Sequence, residues 1–165
     1  MSREAFSISV ESPDASGVAA LLDAGAAAMA ALYPAESDHT PPPDALRGEG
    51  ATLLVARDGD GRAVATGALW RQGGEAEIKR MWVDPARRGR GVARALLRRL
   101  EEEAQGRGAT TLRLETGVAS LAALRLYAAA GYRRRGPFGG YRDDPLSIFM
   151  EKPLPESGGA AIATP

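Results

Sequence analysis

The chain has 165 residues, of which 44% are hydrophobic and 25% charged, and its 21 basic side chains balance 21 acidic ones. This length and composition are typical of one globular domain and exclude a disordered or fibrous chain. With zero net charge we expect no general attraction to nucleic acid, so any basic site must be local. The chain has no cysteine, which excludes disulfides and a cysteine nucleophile, and its single histidine, His39, disfavours a metal site.

The sequence gives an expectation about where the protein is located. The N-terminus has no continuous apolar stretch of the signal-peptide type, and no segment is apolar for long enough to span a bilayer. We therefore expect a cytoplasmic protein without a membrane partner. Residues 1–153 are predicted to form a single domain, and residues 154–165, rich in small, polar and proline residues, a flexible C-terminal tail.

The first third of the chain predicts a strand, a helix and a long loop. Residues 6–11 alternate apolar and polar side chains with the period of a strand. Ser12 and Pro13 suit a helix N-cap and first helical position, and the alanine-rich stretch after them predicts a helix to Tyr33. Residues 34–50 contain four prolines, which favours a loop with at most one short helical turn near residues 44–46.

The rest of the chain predicts a meander of strands and two further helices. Residues 51–72 read as two strands joined by a tight turn at 58–61, and Gly73 and Gly74 lead into a third strand that ends near Val83. A helix is predicted over residues 91–107, with one apolar stripe of Val92, Leu96, Leu97, Leu100 and Ala104. A strand over 110–116, a short helix over 120–131 and strands over 132–136 and 146–154 follow.

The loop between the third strand of the meander and the long helix has the composition of an anion site. Backbone N–H groups at the start of a helix are free to bind anions, and the helix dipole favours negative charge there. Gly89 and Gly91 allow close backbone approach, and four arginines surround them: Arg87, Arg88, Arg90 and Arg94. The pattern therefore predicts a phosphate or diphosphate ligand, although a basic run alone is more often a solvated surface.

Two common phosphate-binding motifs do not fit this loop. A P-loop requires a lysine followed by serine or threonine after the second glycine, where this chain has Val92 and Ala93. A dinucleotide-binding fingerprint requires a third glycine, where this chain has Arg94. Nucleotide triphosphate hydrolysis and NAD binding are both disfavoured.

Arg88, Gly91 and Ala93 match the Arg/Gln-x-x-Gly-x-Gly/Ala signature of the GCN5-related N-acetyltransferases (GNAT). The stretch "SLAALRLYAAAGY" at residues 120–132 resembles the family helix that supplies a tyrosine. The resemblance covers roughly residues 6–152. It implies an α/β (α+β) fold with a mixed, mostly antiparallel sheet of six to seven strands, flanked by helices, in which two splayed strands form the acetyl-CoA slot.

The resemblance also implies which residues contact the cofactor. The diphosphate of coenzyme A would lie on Arg88, Gly89, Arg90, Gly91, Val92 and Ala93, and the pantetheine arm on the backbone of Met81, Trp82 and Val83. Ser120 stands where the family often has asparagine. We expect Ser120 to cap the short helix, with a cofactor contact as the lesser alternative.

For catalysis, the resemblance assigns Tyr127 as the acid that protonates the departing thiolate, the alternative being a core aromatic. An alkylamine acceptor has a pKa of about 10.4, so a base is also needed. Glu77 is the first candidate because many family members place a glutamate on this strand, and strict alternation would put it on one face with Lys79 and Met81. A solvent-facing Glu77 is an equal alternative, and Glu115, His39 or a water relay are competing bases.

The predicted activity is transfer of an acetyl group from acetyl-CoA to a primary amine of a small molecule by direct attack in a ternary complex, without a metal. The predicted substrate lining is Tyr33, Ser37, His39, Glu115, Phe138 and Tyr141. Two alternatives stay open: a catalytically silent CoA-binding sensor, and a protein or peptide N-acetyltransferase. A homodimer is predicted, paired through an exposed final strand and the loop that contains Phe138.

Overall fold

A computed structural model describes residues 5–156 and contains one seven-stranded sheet with three α-helices. The strands are β1 (Ser7–Val10), β2 (Ala51–Arg57), β3 (Ala63–Gln72), β4 (Glu75–Val83), β5 (Thr111–Gly117), β6 (Arg133–Arg135) and β7 (Ser147–Pro153). The helices are α1 (Val18–Leu32), α2 (Val92–Gly106) and α3 (Leu121–Ala129), with short 3-10 turns at Ala35–Ser37, Pro43–Arg47 and Pro85–Arg87. The predicted mixed sheet with flanking helices is confirmed.

The strands lie in the order β1-β2-β3-β4-β5-β7-β6. Strands β1 to β4 form an antiparallel meander, and β5, β7 and β6 form a second antiparallel group. The two groups meet at β4 and β5, which pair in parallel. A parallel pair requires a crossover connection, and here α2 provides it. The loop before α2 therefore lies at the end of β4, directly beside the junction of the two groups.

Two layers of helix cover the two faces of the sheet. On one face, the apolar stripe of α2 is buried against the sheet as predicted, with Leu96, Leu97 and Leu100 at most 1% exposed. On the other face, Val18 and Leu22 of α1 pack on β2 and β3. Burial of these stripes removes apolar area from water and is the main source of stability of the sheet.

Helix α1 begins later than the sequence predicts. It starts at Val18 after Gly17, which has φ 77° and makes no side-chain cap, whereas Ser12 and Pro13 lie in a preceding turn. The Ser12 hydroxyl accepts a hydrogen bond from the Asp14 backbone N–H at 3.1 Å, so it caps that turn instead of the helix. Leu32, the last residue of α1, is 52% exposed.

The C-terminal region differs from the sequence prediction in two details. Strand β7 pairs with β5 on one side and β6 on the other, so the final strand is not an exposed edge that could pair across a dimer. Leu154, placed at the start of the predicted tail, is buried, and its N–H donates to the Thr110 carbonyl at 2.8 Å. The domain therefore extends past Pro153. The remainder of the predicted tail, residues 157–165, lies outside the described residues.

None of the helices within residues 5–156 has the length and apolar character needed to cross a membrane.

Candidate active site

The glycine loop before α2 leaves the start of this helix open. Gly89 and Gly91 adopt φ values of 78° and 85°, and a side chain added at either position would meet open space. Gly91 is the N-cap of α2 and provides no side-chain cap, and the first turn of α2 carries no acidic residue. Backbone N–H groups in this state attract an anion together with the helix dipole. The geometry fits the diphosphate site predicted for Gly89, Arg90, Gly91, Val92 and Ala93.

Arg87 and Arg88 of this loop contact other groups of the protein. The Arg88 guanidinium lies 4.7 Å from the centre of the Trp82 ring, and its Nε donates to the Val83 carbonyl at 3.2 Å. Arg87 forms an ion pair of 2.7 Å with Asp58, whose carboxylate is nearly buried. Arg88 therefore connects the loop to the end of β4, and the Val83 carbonyl predicted to contact pantetheine is partly used by this contact.

The slot predicted between two splayed strands is present. Strands β4 and β5 pair only from Glu75↔Thr111 to Ile78↔Leu114, and beyond this point β4 continues beside β3 alone. Met81, Trp82 and Val83 therefore have no partner on β5. An unpaired strand edge presents backbone N–H and C=O groups that require hydrogen-bond partners. This edge fits an amide-bearing ligand such as the pantetheine arm of coenzyme A.

A bulge in β4 accompanies the splay. The register between β3 and β4 shifts between Thr66 and Ala68, and Arg80 adopts the left-handed conformation, with φ 61°. The extra residue breaks the alternation of side chains along β4. Met81 consequently packs into the α2-side core, opposite Gly67, and does not share a face with Glu77 and Lys79. The prediction that Glu77, Lys79 and Met81 share one face is wrong for Met81.

A cavity of about 160 Å³ opens where β4 and β5 separate. Its wall combines residues from α1, the loop after α1, β4, β5 and α3. Among the residues predicted for catalysis or binding, those that line it are Tyr33, Ser37, His39, Met81, Trp82, Glu115, Ser120, Tyr127 and Tyr141. The indole Nε1 of Trp82 is buried there without a hydrogen-bond partner, which leaves one donor for a ligand.

Tyr127 lines this cavity and is 4% exposed. Its ring packs edge-on against Tyr132 at 5.6 Å. Burial raises the pKa of the Tyr127 phenol above its ordinary value, and the nearby Glu115 carboxylate raises it further. The phenol therefore keeps its proton at neutral pH and is a hydrogen-bond donor toward the cavity.

The two candidate carboxylates have different surroundings. Glu115, at the end of β5, lines the same cavity as Tyr127, and burial raises its pKa to about 7, with Glu77 and Asp144 adding to the effect and Lys79 opposing it. Glu77 lines an adjacent, more open cavity. It accepts a hydrogen bond from the Tyr141 hydroxyl and lies 3.5 Å from the Lys79 ammonium. The structure thus places Glu115, and not Glu77, in one cavity with Tyr127.

Ser120 occupies the N-cap position of α3, but its side chain makes no capping hydrogen bond. Its hydroxyl shares a hydrogen bond of 2.8 Å with the Tyr33 hydroxyl instead. Gly117 makes this contact feasible because a Cβ at Gly117 would lie 1.8 Å from the Tyr33 hydroxyl oxygen. The capping role predicted for the Ser120 side chain is therefore wrong, and the serine connects α3 to the end of α1.

The remaining predicted lining residues form an aromatic cluster beside the cavity. Tyr141 packs edge-on against His39 and Phe138, each with 5.1 Å between ring centres, and Phe138 packs on Phe149 at 5.8 Å. Phe138 is buried and lines only the adjacent cavity. Phe138 is therefore a core residue of the loop before β7 and is not available to contact a dimer partner.

Within residues 5–156, no group of three or more acidic or histidine side chains converges in a way that would hold a metal ion.

The fold, the open helix start and the cavity together define the class, an acyl-CoA-dependent transferase, and comparison with known proteins supports it. The family model described as the acetyltransferase (GNAT) family matches residues 19–132. The IAA acetyltransferase of Azospirillum brasilense is 44% identical over 149 residues, which cover 89% of this chain and 97% of that protein. The chain therefore belongs to the GNAT family and is an acetyltransferase.

Two further comparisons agree. The uncharacterized N-acetyltransferase YsnE of Bacillus subtilis is 37% identical over 128 residues, which cover 76% of this chain and 85% of that protein. The crystal structure of a proposed acyl-CoA N-acyltransferase from Klebsiella pneumoniae has a TM-score of 0.77 and 37% identity, and the match covers 90% of this chain and 97% of that one. These similarities cover 76% and 90% of the chain, and the structural match confirms the fold.

Two residues of this site were not predicted from the sequence. Arg80 lines the cavity because of the bulge in β4, and Gly117 accommodates Tyr33 at the end of β5. Gly67, opposite the bulge, was a usable signal, since a glycine inside a strand often marks a bulge or a close approach. The sequence carried no comparable signal for Gly117, because the tyrosine that contacts it is more than 80 residues away.

Proposed function

We propose that the protein transfers an acetyl group from acetyl-CoA to a primary amine of a small molecule, by direct attack in a ternary complex. The observation that carries this proposal is the cavity at the point where β4 and β5 separate, which brings Tyr127 and Glu115 together beside an unpaired strand edge. Acetyl-CoA, when bound, supplies the acetyl group as a thioester. The open start of α2 and the edge at Met81 to Val83 would hold its diphosphate and its pantetheine arm.

In this proposal Glu115 is the base and Tyr127 the donor to the leaving group. A carboxylate with a pKa of about 7 is partly ionised at neutral pH and accepts a proton from the acceptor ammonium more readily than an ordinary carboxylate does. The protonated Tyr127 phenol stabilises the departing thiolate by donating a hydrogen bond. Because the raised pKa of Tyr127 opposes full proton transfer, donation of a hydrogen bond is its principal contribution. Glu77 stays the alternative base.

The first experiment tests cofactor binding by calorimetry with acetyl-CoA. Gly91→Glu places a negative charge at the start of α2, and we expect it to weaken binding about 10-fold or more. Gly61→Glu is the matched control because Gly61, in the β2–β3 turn, has a similar φ of 82° and equally open surroundings. Equal affinities for the wild type and both variants would contradict the proposed diphosphate site.

The second experiment measures release of free CoA with a panel of amines. Tyr127→Phe preserves the ring and removes the donor, and we expect kcat to fall about 100-fold while affinity for acetyl-CoA stays unchanged. Full activity in Tyr127→Phe would refute the role of the hydroxyl. If acetyl-CoA binds but no amine yields CoA, the alternative of a silent binding module would replace the proposal.

The peptide-acetyltransferase alternative receives less support. The loop after α1 and the loop before β7 meet beside the cavity, where the Ser37 hydroxyl donates to the Asp144 carboxylate at 2.6 Å. Contact between these loops narrows the approach for an extended peptide and suits a small acceptor. The cytoplasmic location and the homodimer stay predictions from the sequence.

A further inference from the structure

The bulge in β4 places two consecutive basic side chains on the same side of the sheet. In a regular strand Lys79 and Arg80 would point to opposite faces. Here Lys79 approaches Glu77 and Tyr141, and the Arg80 guanidinium reaches α1, where Nη1 donates to the Leu22 carbonyl at 3.2 Å. Both residues line the cavity that contains Glu115 and Tyr127.

Within residues 5–156 the Arg80 guanidinium has no carboxylate in direct contact, although the charges of Asp23 and Asp38 act on it from a distance. Among the residues that the structure describes, no carboxylate forms an ion pair with Arg80, and its Nε is buried without a hydrogen-bond partner. Asp38 also lines the cavity, but its carboxylate accepts a hydrogen bond from the Thr40 N–H at 3.0 Å. Arginine stays protonated in proteins, so the cavity contains a partly buried positive charge whose donors are not all used.

Lys79 lines the same cavity and adds to this positive charge. Its ammonium lies 3.5 Å from Glu77 and 5.1 Å from the centre of the Tyr141 ring. Because Lys79 already has a carboxylate partner, Arg80 is the stronger candidate for an incoming anion. A planar guanidinium also matches a carboxylate better than an ammonium does, since it donates two parallel hydrogen bonds.

We propose that the acceptor carries a carboxylate as well as its amine, and that Arg80 binds this carboxylate while the amine faces Glu115; the inference rests on the proposed function. An anion satisfies the unused guanidinium donor and offsets the cost of burying the charge.

The test compares matched acceptors that differ only in the carboxylate. Alanine, methionine and phenylalanine are each compared with the amine in which hydrogen replaces the carboxylate, and kcat/KM is measured from CoA release. We expect the wild type to prefer at least one acid about 10- to 100-fold over its matched amine. Arg80→Asn removes the charge and retains a residue that tolerates positive φ, and we expect it to abolish this preference.

Arg133→Asn is the control, because Arg133 is exposed on β6 and the substitution changes the net charge by the same amount. It should keep the preference. The inference is overturned if the wild type shows no preference for any acid. It is also overturned if Arg80→Asn lowers kcat/KM for acid and amine by the same factor, because Arg80 would then only support α1 through its hydrogen bond to Leu22.

A binding measurement separates this inference from the proposed function. Calorimetry of the CoA-saturated protein with the same acids and amines requires no turnover. Binding of an acid by the wild type but not by Arg80→Asn, without CoA release, would support the carboxylate site and refute acetyl transfer to these acceptors. Absence of binding for all three acids would overturn the carboxylate site even if other amines are acetylated.

Discussion

Glu115 shows how one position at the end of a strand acquires a chemical role. Its side chain lies on the opposite face of β5 from Leu114, which is buried under α2, and so it reaches the cavity. Burial disfavours the charged form of the carboxylate and raises its pKa to about 7. An exposed glutamate with an ordinary pKa would accept a proton from an ammonium much less readily.

The pH dependence of the reaction should report this pKa. Since Glu115 must be ionised to act as a base, we expect kcat/KM to rise from about pH 6 to about pH 8, with a midpoint near the pKa of Glu115. Glu115→Gln should lose this rise and lower the rate about 100-fold, whereas Glu77→Gln should keep it. A Glu115→Gln variant that retains the same pH profile would transfer the role to Glu77 or to water.

Gly117 is required for a steric reason, which gives a second prediction at this scale. A Cβ at this position would overlap the Tyr33 ring, so Gly117→Ala should displace Tyr33 and break its hydrogen bond with Ser120. We expect a loss of about 1 to 3 kcal/mol of unfolding free energy, measured by urea denaturation. The double variant Tyr33→Ala, Gly117→Ala should lose less than the sum of the two single variants. Simple additivity would contradict the contact.

At the scale of elements, the sequence predicted α2 accurately and the details of β4 poorly. The buried residues from Val92 to Ala104 recur with the helical period on one face of α2. The periodicity of the sequence was therefore sufficient to predict this helix and its buried face. No periodic pattern of residues predicts the bulge at Arg80. The bulge places the Met81 side chain on the face of the sheet opposite to the one expected. The start of α1 was also mispredicted, because the serine and proline that signal a helix start can equally form a turn.

The open glycine loop before α2 could be predicted for a different reason. Its glycines, arginines and position before a helix are local features, so they were visible without tertiary information. The choice between Glu77 and Glu115 depends on the splay and on burial, which are properties of the assembled sheet. Residues whose role depends on distant neighbours, such as Arg80 and Gly117, were therefore missed.

The buried stripe of α2 should dominate the stability of the α2-side core. Leu97→Ala creates a cavity at a side chain that is 1% exposed, and we expect it to lower the unfolding free energy by about 2 to 5 kcal/mol. Arg98→Ala, at the adjacent exposed position, should change it by less than about 0.5 kcal/mol. Denaturant titrations of both variants provide the comparison, and equal losses would contradict the assigned faces.

At the scale of the whole molecule, the cavity depends on two loops that are about 100 residues apart in the chain. The Ser37–Asp144 hydrogen bond and the Tyr141–Glu77 hydrogen bond hold these loops over the site. Ser37 also holds the pKa of the Asp144 carboxyl below its ordinary value, so the contact persists into mildly acidic solution. In the proposed function these loops support the acceptor side of the site, whereas the start of α2 supports the cofactor side.

This difference predicts a selective kinetic effect. Asp144→Asn weakens the contact between the loops, and we expect the KM for the acceptor to rise about 3- to 10-fold while the affinity for acetyl-CoA is unchanged. Asp143→Asn, at the neighbouring exposed position, should leave both values unchanged. A parallel loss of acetyl-CoA affinity in Asp144→Asn would indicate that the loops support the cofactor site as well.

One of the two edge strands of the sheet, β6, consists of three consecutive arginines, two of which are exposed. Two copies could pair their β6 edges in an antiparallel manner about a twofold axis at Arg134. Arg134 would then lie opposite Arg134 of the second copy, and Arg133 opposite Arg135. Like charges directly opposite one another in a sheet are destabilising. The charge on β6 therefore disfavours self-association by extension of the sheet at this edge in this register.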